Sequence, residues 1–236
     1  MGFLIDTKNR SNAIEIMDDF SIEGEYLYKT LDQLASINKW LGGNSVTLKG
    51  LKKVLKNHPK ETMFTLIDLG CGNGDMLRIV SNYLNKNNYN FKLIGIDANA
   101  FTINYAKELS KDYPEITYLQ QDIFSEDFKS LQYDLVLATL FLHHFKEDQI
   151  IEVLNGAIKT VKIGIVINDL HRHWLAYYLF KGLSLFIKNP MVKQDGLTSI
   201  LRGFKRKELE RLSKKLNVKS DLNWKWAFRF QWIIQK

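Results

Sequence analysis

The sequence predicts a doubly wound α/β domain: a mostly parallel sheet covered by helices on both faces, preceded by a helical cap. Three observations carry this. From residue 58 onward, short apolar runs rich in β-branched residues alternate with longer amphipathic segments; this is the pattern of successive βαβ units, whose crossovers cover both faces of a sheet. The first apolar run ends in a glycine-rich turn, Asp68-Leu69-Gly70-Cys71-Gly72-Asn73-Gly74, as expected where a strand hands over to a helix around a ligand. Before residue 58 there is no strand alternation, only helical spacing.

In the cap, Leu27, Leu31, Leu34, Ile37 and Leu41 recur every three or four residues until Gly42-Gly43 stops the pattern. Residues 46–56 form a second amphipathic helix, closed by His58-Pro59. The expected organisation is therefore a cap over 1–57 and a ligand-binding domain over 58–236. Strands are expected at 63–69, 92–97, 116–121, 133–139 and 162–168, with helices at about 74–86, 100–111, 147–160 and 171–187. A helix over 205–216 carries Leu209, Leu212 and Leu216 on one face. Two short β-rich runs, 218–225 and 228–235, then close the sheet as an antiparallel pair, making seven strands.

At 236 residues and 45% hydrophobic, the chain has enough apolar material for a substantial core. Cys71 is the only cysteine, so no intrachain disulfide forms, and its place inside the turn suits packing. The opening MGFLIDTKNRSNAIEIMDD lacks a basic leader followed by an apolar core, and nowhere do 18 apolar residues run together. A soluble, cytoplasmic protein is the expectation. Lys plus Arg exceed Asp plus Glu, 33 to 26, with the excess gathered at Lys205, Arg206, Lys207, Arg211, Lys214, Lys215 and Lys219. Glu208 and Glu210 interrupt that run and the leucines share one face, so it reads as a surface helix rather than a nucleic-acid site.

The glycines run G-x-G-x-G, at positions where positive φ and close backbone approach to a ligand call for glycine. The next apolar run, Leu93 to Asp97, ends in a carboxylate placed where a nucleoside over the turn presents its ribose hydroxyls. A dinucleotide fingerprint would need a third glycine where Asp75 stands, and a carboxylate at a helix start repels pyrophosphate. No Gly-Lys-Ser/Thr follows, which excludes a Walker loop. In these features, over roughly residues 62–236, the chain resembles the class I S-adenosylmethionine-dependent methyltransferases. The resemblance implies their Rossmann-like sheet with an antiparallel last strand, and S-adenosyl-L-methionine as cofactor. It implies Asp68, Gly70, Gly72 and Gly74 around the methionine part, with Cys71 and Thr139 in the lining. Asp97 takes the ribose hydroxyls, Asp122 and Ile123 meet the adenine, and Ala98 and Asn99 flank it. Asp122 also suits a turn cap in Asp-Ile-Phe-Ser.

Tyr133 to Phe145 brings His143 and His144 to the end of the fourth strand, where the resemblance places residues near the transferring methyl group. The following strand delivers Asn168-Asp169-Leu170-His171-Arg172-His173 to the same edge. His144 or His171 is expected to act as general base with Asp169 fixing its tautomer, His143 completing the candidate set. No carboxylate or thiol accompanies the histidines at a ligand spacing, so no metal is expected. Trp174 to Met191, interrupted by Lys181 and Lys188, suits an apolar acceptor pocket or peripheral contact with a membrane, and Met17, Phe20, Tyr26 and Trp40 add apolar wall. Three segments, Ile37–Gly43, Asn168–His173 and Ser199–Phe204, look like those of bacterial methyltransferases associated with type III polyketide synthases or quinone biosynthesis. This implies a phenolic, polyketide or quinone-type acceptor methylated on oxygen, with carbon as the alternative. Arg202, in a loop before the basic helix, is a candidate partner for an acceptor oxygen or carboxylate. A nucleic-acid (RNA) methyltransferase is the second enzymatic reading, supported by the positive charge and abundant aromatics, although no Asn/Asp-Pro-Pro-Tyr/Phe follows the fourth strand and there is no cysteine pair. A retained cofactor fold serving as a noncatalytic binding protein is the remaining reading.

Overall fold

The computed structural model describes residues 5–236; the first four residues of the expected cap lie outside them. A 3-10 turn (Ile16–Asp18) precedes α1 (Glu25–Trp40) and α2 (Gly43–Val54). Then follow β1 (Phe64–Leu69), α3 (Asp75–Lys86), β2 (Phe91–Asp97), α4 (Ala100–Leu109), β3 (Ile116–Gln120), α5 (Glu126–Lys129) and β4 (Leu135–Thr139). After a second 3-10 turn (Leu142–His144) come α6 (Glu147–Thr160), β5 (Gly164–Leu170), α7 (Trp174–Ser184), α8 (Pro190–Arg202), α9 (Arg206–Lys215), β6 (Ser220–Lys225) and β7 (Arg229–Gln235).

The seven strands lie in the order β3-β2-β1-β4-β5-β7-β6. The first five are parallel, while β7 runs antiparallel to both β5 and β6. Both faces of the parallel strands are apolar, so each face is covered. Ile67, Val136 and Ile165 pack with Ile150 and Leu154 of α6 and with Leu209 and Leu212 of α9. Leu66, Leu135 and Val166 pack with Leu51 of α2 and with Leu77, Val80 and Leu84 of α3. The basic helix is thus held by its leucines, with Arg211 and Lys215 pairing Glu147 of α6 across its solvated face.

Several expectations are adjusted. Gly42 is left-handed (φ 75°) and turns the chain, but Gly43 already belongs to α2. Helix α2 lies in the sandwich, with Gly50 against Val166, where a Cβ would collide; covering the cleft falls to α1 and the segment before it. The expected 171–187 helix is shorter, and α8 was not anticipated. Asn189-Pro190 starts α8 as cap and first residue, the Asn189 side chain accepting from the backbone N–H of Met191 and Val192. Arg202 is consequently the last residue of a helix rather than part of a loop.

The chain steps from β1 to β2 on one side and later returns to place β4 on the other, so a crevice opens at the carboxyl ends of β1 and β4.

Candidate active site

At the end of β1 the turn runs through Gly70, Gly72 and Gly74 with φ of 66°, 52° and 76°. Glycine at 70 is required twice over, because a Cβ there would also run into the Phe141 ring. The Cys71 N–H donates to the carbonyl of Ile96 (3.0 Å), pinning the turn to β2. Asp97 ends β2, its carboxylate accepting from the N–H of Gly72 (3.2 Å) and of Asn99 (3.0 Å). Each oxygen keeps a lone pair for a ligand hydroxyl. Asp68 is buried with Oδ1 unpartnered. Burial first, then the charges of Asp75 and Asp97, push its carboxyl well above the usual range, and no cation acts against them. Burial also raises Asp97, against its backbone hydrogen bonds. A pocket floor of carboxylates without a counter-ion fits a ligand bearing positive charge, as the ammonium and sulfonium of S-adenosylmethionine do.

A cavity of about 1460 Å³ spreads from this floor. That exceeds the roughly 300–1,000 Å³ typical of a single small-molecule pocket, leaving room for an acceptor beside the cofactor. Cys71, Ala98, Asp122, Ile123 and Thr139 line the cavity. Asp122 also caps its own turn, Oδ1 accepting from the N–H of Phe124 (2.9 Å). Phe180, Trp224 and Trp226 line the other end, while Leu31 of α1 lies over the glycine turn, its Cδ2 3.8 Å from where a Cβ on Gly72 would stand.

After β4 the backbone enters the left-handed region at Leu140 (φ 54°), held by its N–H to the carbonyl of Asn168 (2.8 Å). A branched residue there is strained, and such outliers gather at functional turns. The turn sends His143 and His144 to different partners. His143 Nδ1 donates to Asp169 Oδ1 at 2.7 Å, both groups being buried. Asp169 also accepts from the backbone N–H of His143 (3.2 Å) and Leu170 (2.7 Å). Burial works to raise the Asp169 carboxyl, but His143 outweighs it and holds the group below its usual range. His144 Nδ1 instead meets Asp18 Oδ1 at 2.6 Å.

The expected pairing of Asp169 with His144 or His171 is therefore corrected: its partner is His143. His171 Nδ1 accepts from the Trp224 indole N–H (3.2 Å), and its ring packs against Phe230. Burial, then His173, Lys205, Arg172 and Arg206, lowers the His171 pKa to about 4, leaving a weak base at neutral pH. Arg202 is corrected too. Its guanidinium pairs with Asp18 and donates to the backbone carbonyls of His143 (3.1 Å) and His144, so it clamps the histidine turn rather than facing an acceptor.

Sequence spacing offered these histidines no carboxylate, yet the fold brings Glu15 to them, the three ligand atoms of Glu15, His143 and His144 lying within 4.8 Å of one another. Arg202 Nη1 lies 3.4 Å from Glu15 Oε1, so a guanidinium already supplies the positive charge that this cluster calls for. Burial raises the Glu15 carboxyl to about 7 despite His144, Ser199 and Arg202. Glu15, Asp18 and Arg229 were missed by sequence reasoning, since each joins the site only through tertiary folding. Arg229 opens β7 and lines the cavity.

The doubly wound sheet with its antiparallel last strand and the glycine turn after β1 give the chain a Rossmann-like methyltransferase fold. Residues 66–164 match the model of a methyltransferase domain. The chain is 28% identical over 130 residues to putative methyltransferase 235L of Invertebrate iridescent virus 6, covering 49% of this chain and 46% of that protein. It thus spans about half the length of this curated relative. Among solved structures it resembles the plantazolicin methyltransferase BpumL in complex with SAH (TM-score 0.66, 16% identity, covering 88% of this chain and 90% of that one). It also resembles the CurJ carbon methyltransferase (TM-score 0.59, 16% identity, 80% and 53%). At such identities the likeness is one of fold.

Proposed function

We propose that the protein transfers a methyl group from S-adenosylmethionine to the hydroxyl of a small, largely apolar aromatic acceptor of the phenolic, polyketide or quinone class. The observation that carries this reading is the buried His143–Asp169 pair, beside a cavity whose one end is a carboxylate floor and whose other end is aromatic. Bound S-adenosylmethionine supplies the electrophilic methyl group. The glycine turn and Asp97 fix the nucleoside. Phe180, Trp224 and Trp226 hold the acceptor in line and exclude water; such positioning is worth on the order of 7 kcal/mol or more in favourable cases. A phenol is mostly protonated at neutral pH, so a base accelerates its attack. His143, with Nδ1–H on Asp169, has no hydrogen bond at Nε2, which lies 3.7 Å from Glu15 Oε1; Nε2 takes the phenolic proton, and the Asp169 charge stabilises the resulting imidazolium.

Residues 1–57 act in this reading as the cover of the cavity, through Leu31 over the glycine turn and Trp40 of α1. Among the described residues no helix is long and apolar enough to cross a membrane. The exposed Trp40, Leu179 and Trp226 at the cavity rim suit peripheral contact with a lipid surface from which an apolar acceptor enters. The likeness to a carbon methyltransferase keeps transfer to an activated ring carbon as the second reading, served by the same base.

Pure protein is incubated with methyl-labelled S-adenosylmethionine and separate pools of phenols, quinones and RNA. Label is expected in the phenol or quinone pool as an alkali-stable ether. Label in RNA alone, or none in any pool while the nucleoside binds, overturns the proposal.

A further inference from the structure

We infer that Arg229 forms an anion subsite at the acceptor end of the cavity, so that the acceptor carries a carboxylate besides its methylated group. This rests on the methyl-transfer reading above and narrows its substrate. Arg229 is 2% exposed, lines the cavity, and has Nε and Nη1 without any hydrogen-bond partner. In the other buried arginines every side-chain nitrogen is engaged. Arg172 binds Glu208 through two nitrogens and the carbonyls of Thr7, Lys8 and Gly203, while Arg202 binds Asp18 and two carbonyls. Among the described residues, Arg229 is the exception among the buried arginines.

The groups around it do not answer its charge. Asp169 is the one carboxylate that acts on it favourably, and its hydrogen bonds go to His143 and Leu170. Asn38 faces the same spot with an unpartnered Oδ1, but an amide oxygen is neutral. Water can satisfy an N–H; it cannot cancel a buried charge, which calls for an anion. Burial lowers the guanidinium to about 10, so it stays cationic at neutral pH.

Position separates this group from the cofactor. Arg229 pairs in register with Leu170 on β5, and β7 lies four strand steps from β2, where Asp97 ends. At about 4.8 Å per step this is roughly 19 Å, with the His143–Asp169 pair in between. The approach to Arg229 is also fixed by strain: Ala227 and Phe228 are both left-handed (φ 58° and 53°), and the Phe228 carbonyl accepts from the His171 N–H at 2.8 Å. A planar guanidinium held this way offers a carboxylate two parallel hydrogen bonds.

Calorimetry on the full chain saturated with S-adenosylhomocysteine tests this with two probe pairs: 2-naphthoate against 2-naphthamide, and octanoate against octanamide. In at least one pair the carboxylate is expected to bind about tenfold tighter or more than the amide. Arg229→Gln is expected to abolish the preference while S-adenosylhomocysteine affinity stays within about twofold. Equal affinity within both pairs, no binding by any probe, or a preference that survives Arg229→Gln overturns the inference. So does a tenfold loss of S-adenosylhomocysteine affinity in the variant, which would put the cofactor's own carboxylate at Arg229. Should Arg229→Gln not fold, the wild-type probe pairs decide alone. Failure of wild-type protein to bind S-adenosylhomocysteine at all would instead sink the methyl-transfer reading, so the two failures are told apart.

Discussion

Replacing Asp169 by Asn removes the charge behind the proposed base. The amide oxygen can keep the Leu170 N–H that now bonds Oδ1 at 2.7 Å, whereas the amide nitrogen replaces the Oδ2 that accepts from the His143 N–H at 3.2 Å, so one of the turn's two backbone anchors is lost as well. What disappears is the negative charge beside the imidazolium that forms as the acceptor loses its proton. With charge centres about 4 Å apart and an effective dielectric near 20, that interaction is about 4 kcal/mol. At about 1.36 kcal/mol per decade, kcat is expected to fall by roughly 10³-fold. Asp169 sits on β5, two strands from Asp68 and further from Asp97, so the affinity for S-adenosylhomocysteine should change less than about twofold. Initial rates at saturating labelled cofactor, alongside calorimetry and a melting curve, give the three numbers needed. A kcat within tenfold of wild type, in a variant that melts normally, would show that the pair is structural and that the acceptor attacks without its help.

Three further substitutions probe the surroundings. Glu15 has its carboxyl raised from 4.5 to about 7, so its stabilising share is fully present below about pH 4.5 and lost as pH rises through 7, about 3 kcal/mol in all. Glu15→Gln should therefore raise the melting temperature at pH 8 and leave it nearly unchanged at pH 4.5; an equal shift at both would refute the linkage. Asp97→Ala removes a charged acceptor from the ribose hydroxyls and should weaken S-adenosylhomocysteine binding by about 10- to 100-fold in calorimetry. Arg202→Met leaves Asp18 and Glu15 without their cation and should cost about 3–5 kcal/mol in urea unfolding, with less than 1 kcal/mol counting against the clamp.

The sheet was legible because its central parallel strands β1, β4 and β5 are buried on both faces and read as nearly unbroken apolar runs, as Leu135 to Ala138 does. The cofactor floor was legible for a related reason: Gly70 and Asp97 are constrained by the backbone path itself, and backbone constraints leave local marks. The acceptor side is built differently. Asp18 and Glu15 reach His144 and His143 across more than a hundred residues, and nothing in the spacing of a short 3-10 turn announces such partners. Arg202 illustrates the error this invites. Next to a basic helix it reads as a free cation, but α8, started by Asn189-Pro190, carries it inward onto two carbonyls and a carboxylate. Arg229 is the converse, an ordinary residue in a strand whose importance appears only when its neighbours are counted and found to be spoken for. In a fold where methyl donors sit on a conserved kind of floor, acceptor choice is left to side chains brought together over long sequence distances. On the proposed reading, the unpaired guanidinium at the end of that assembly is therefore the group that selects the acceptor.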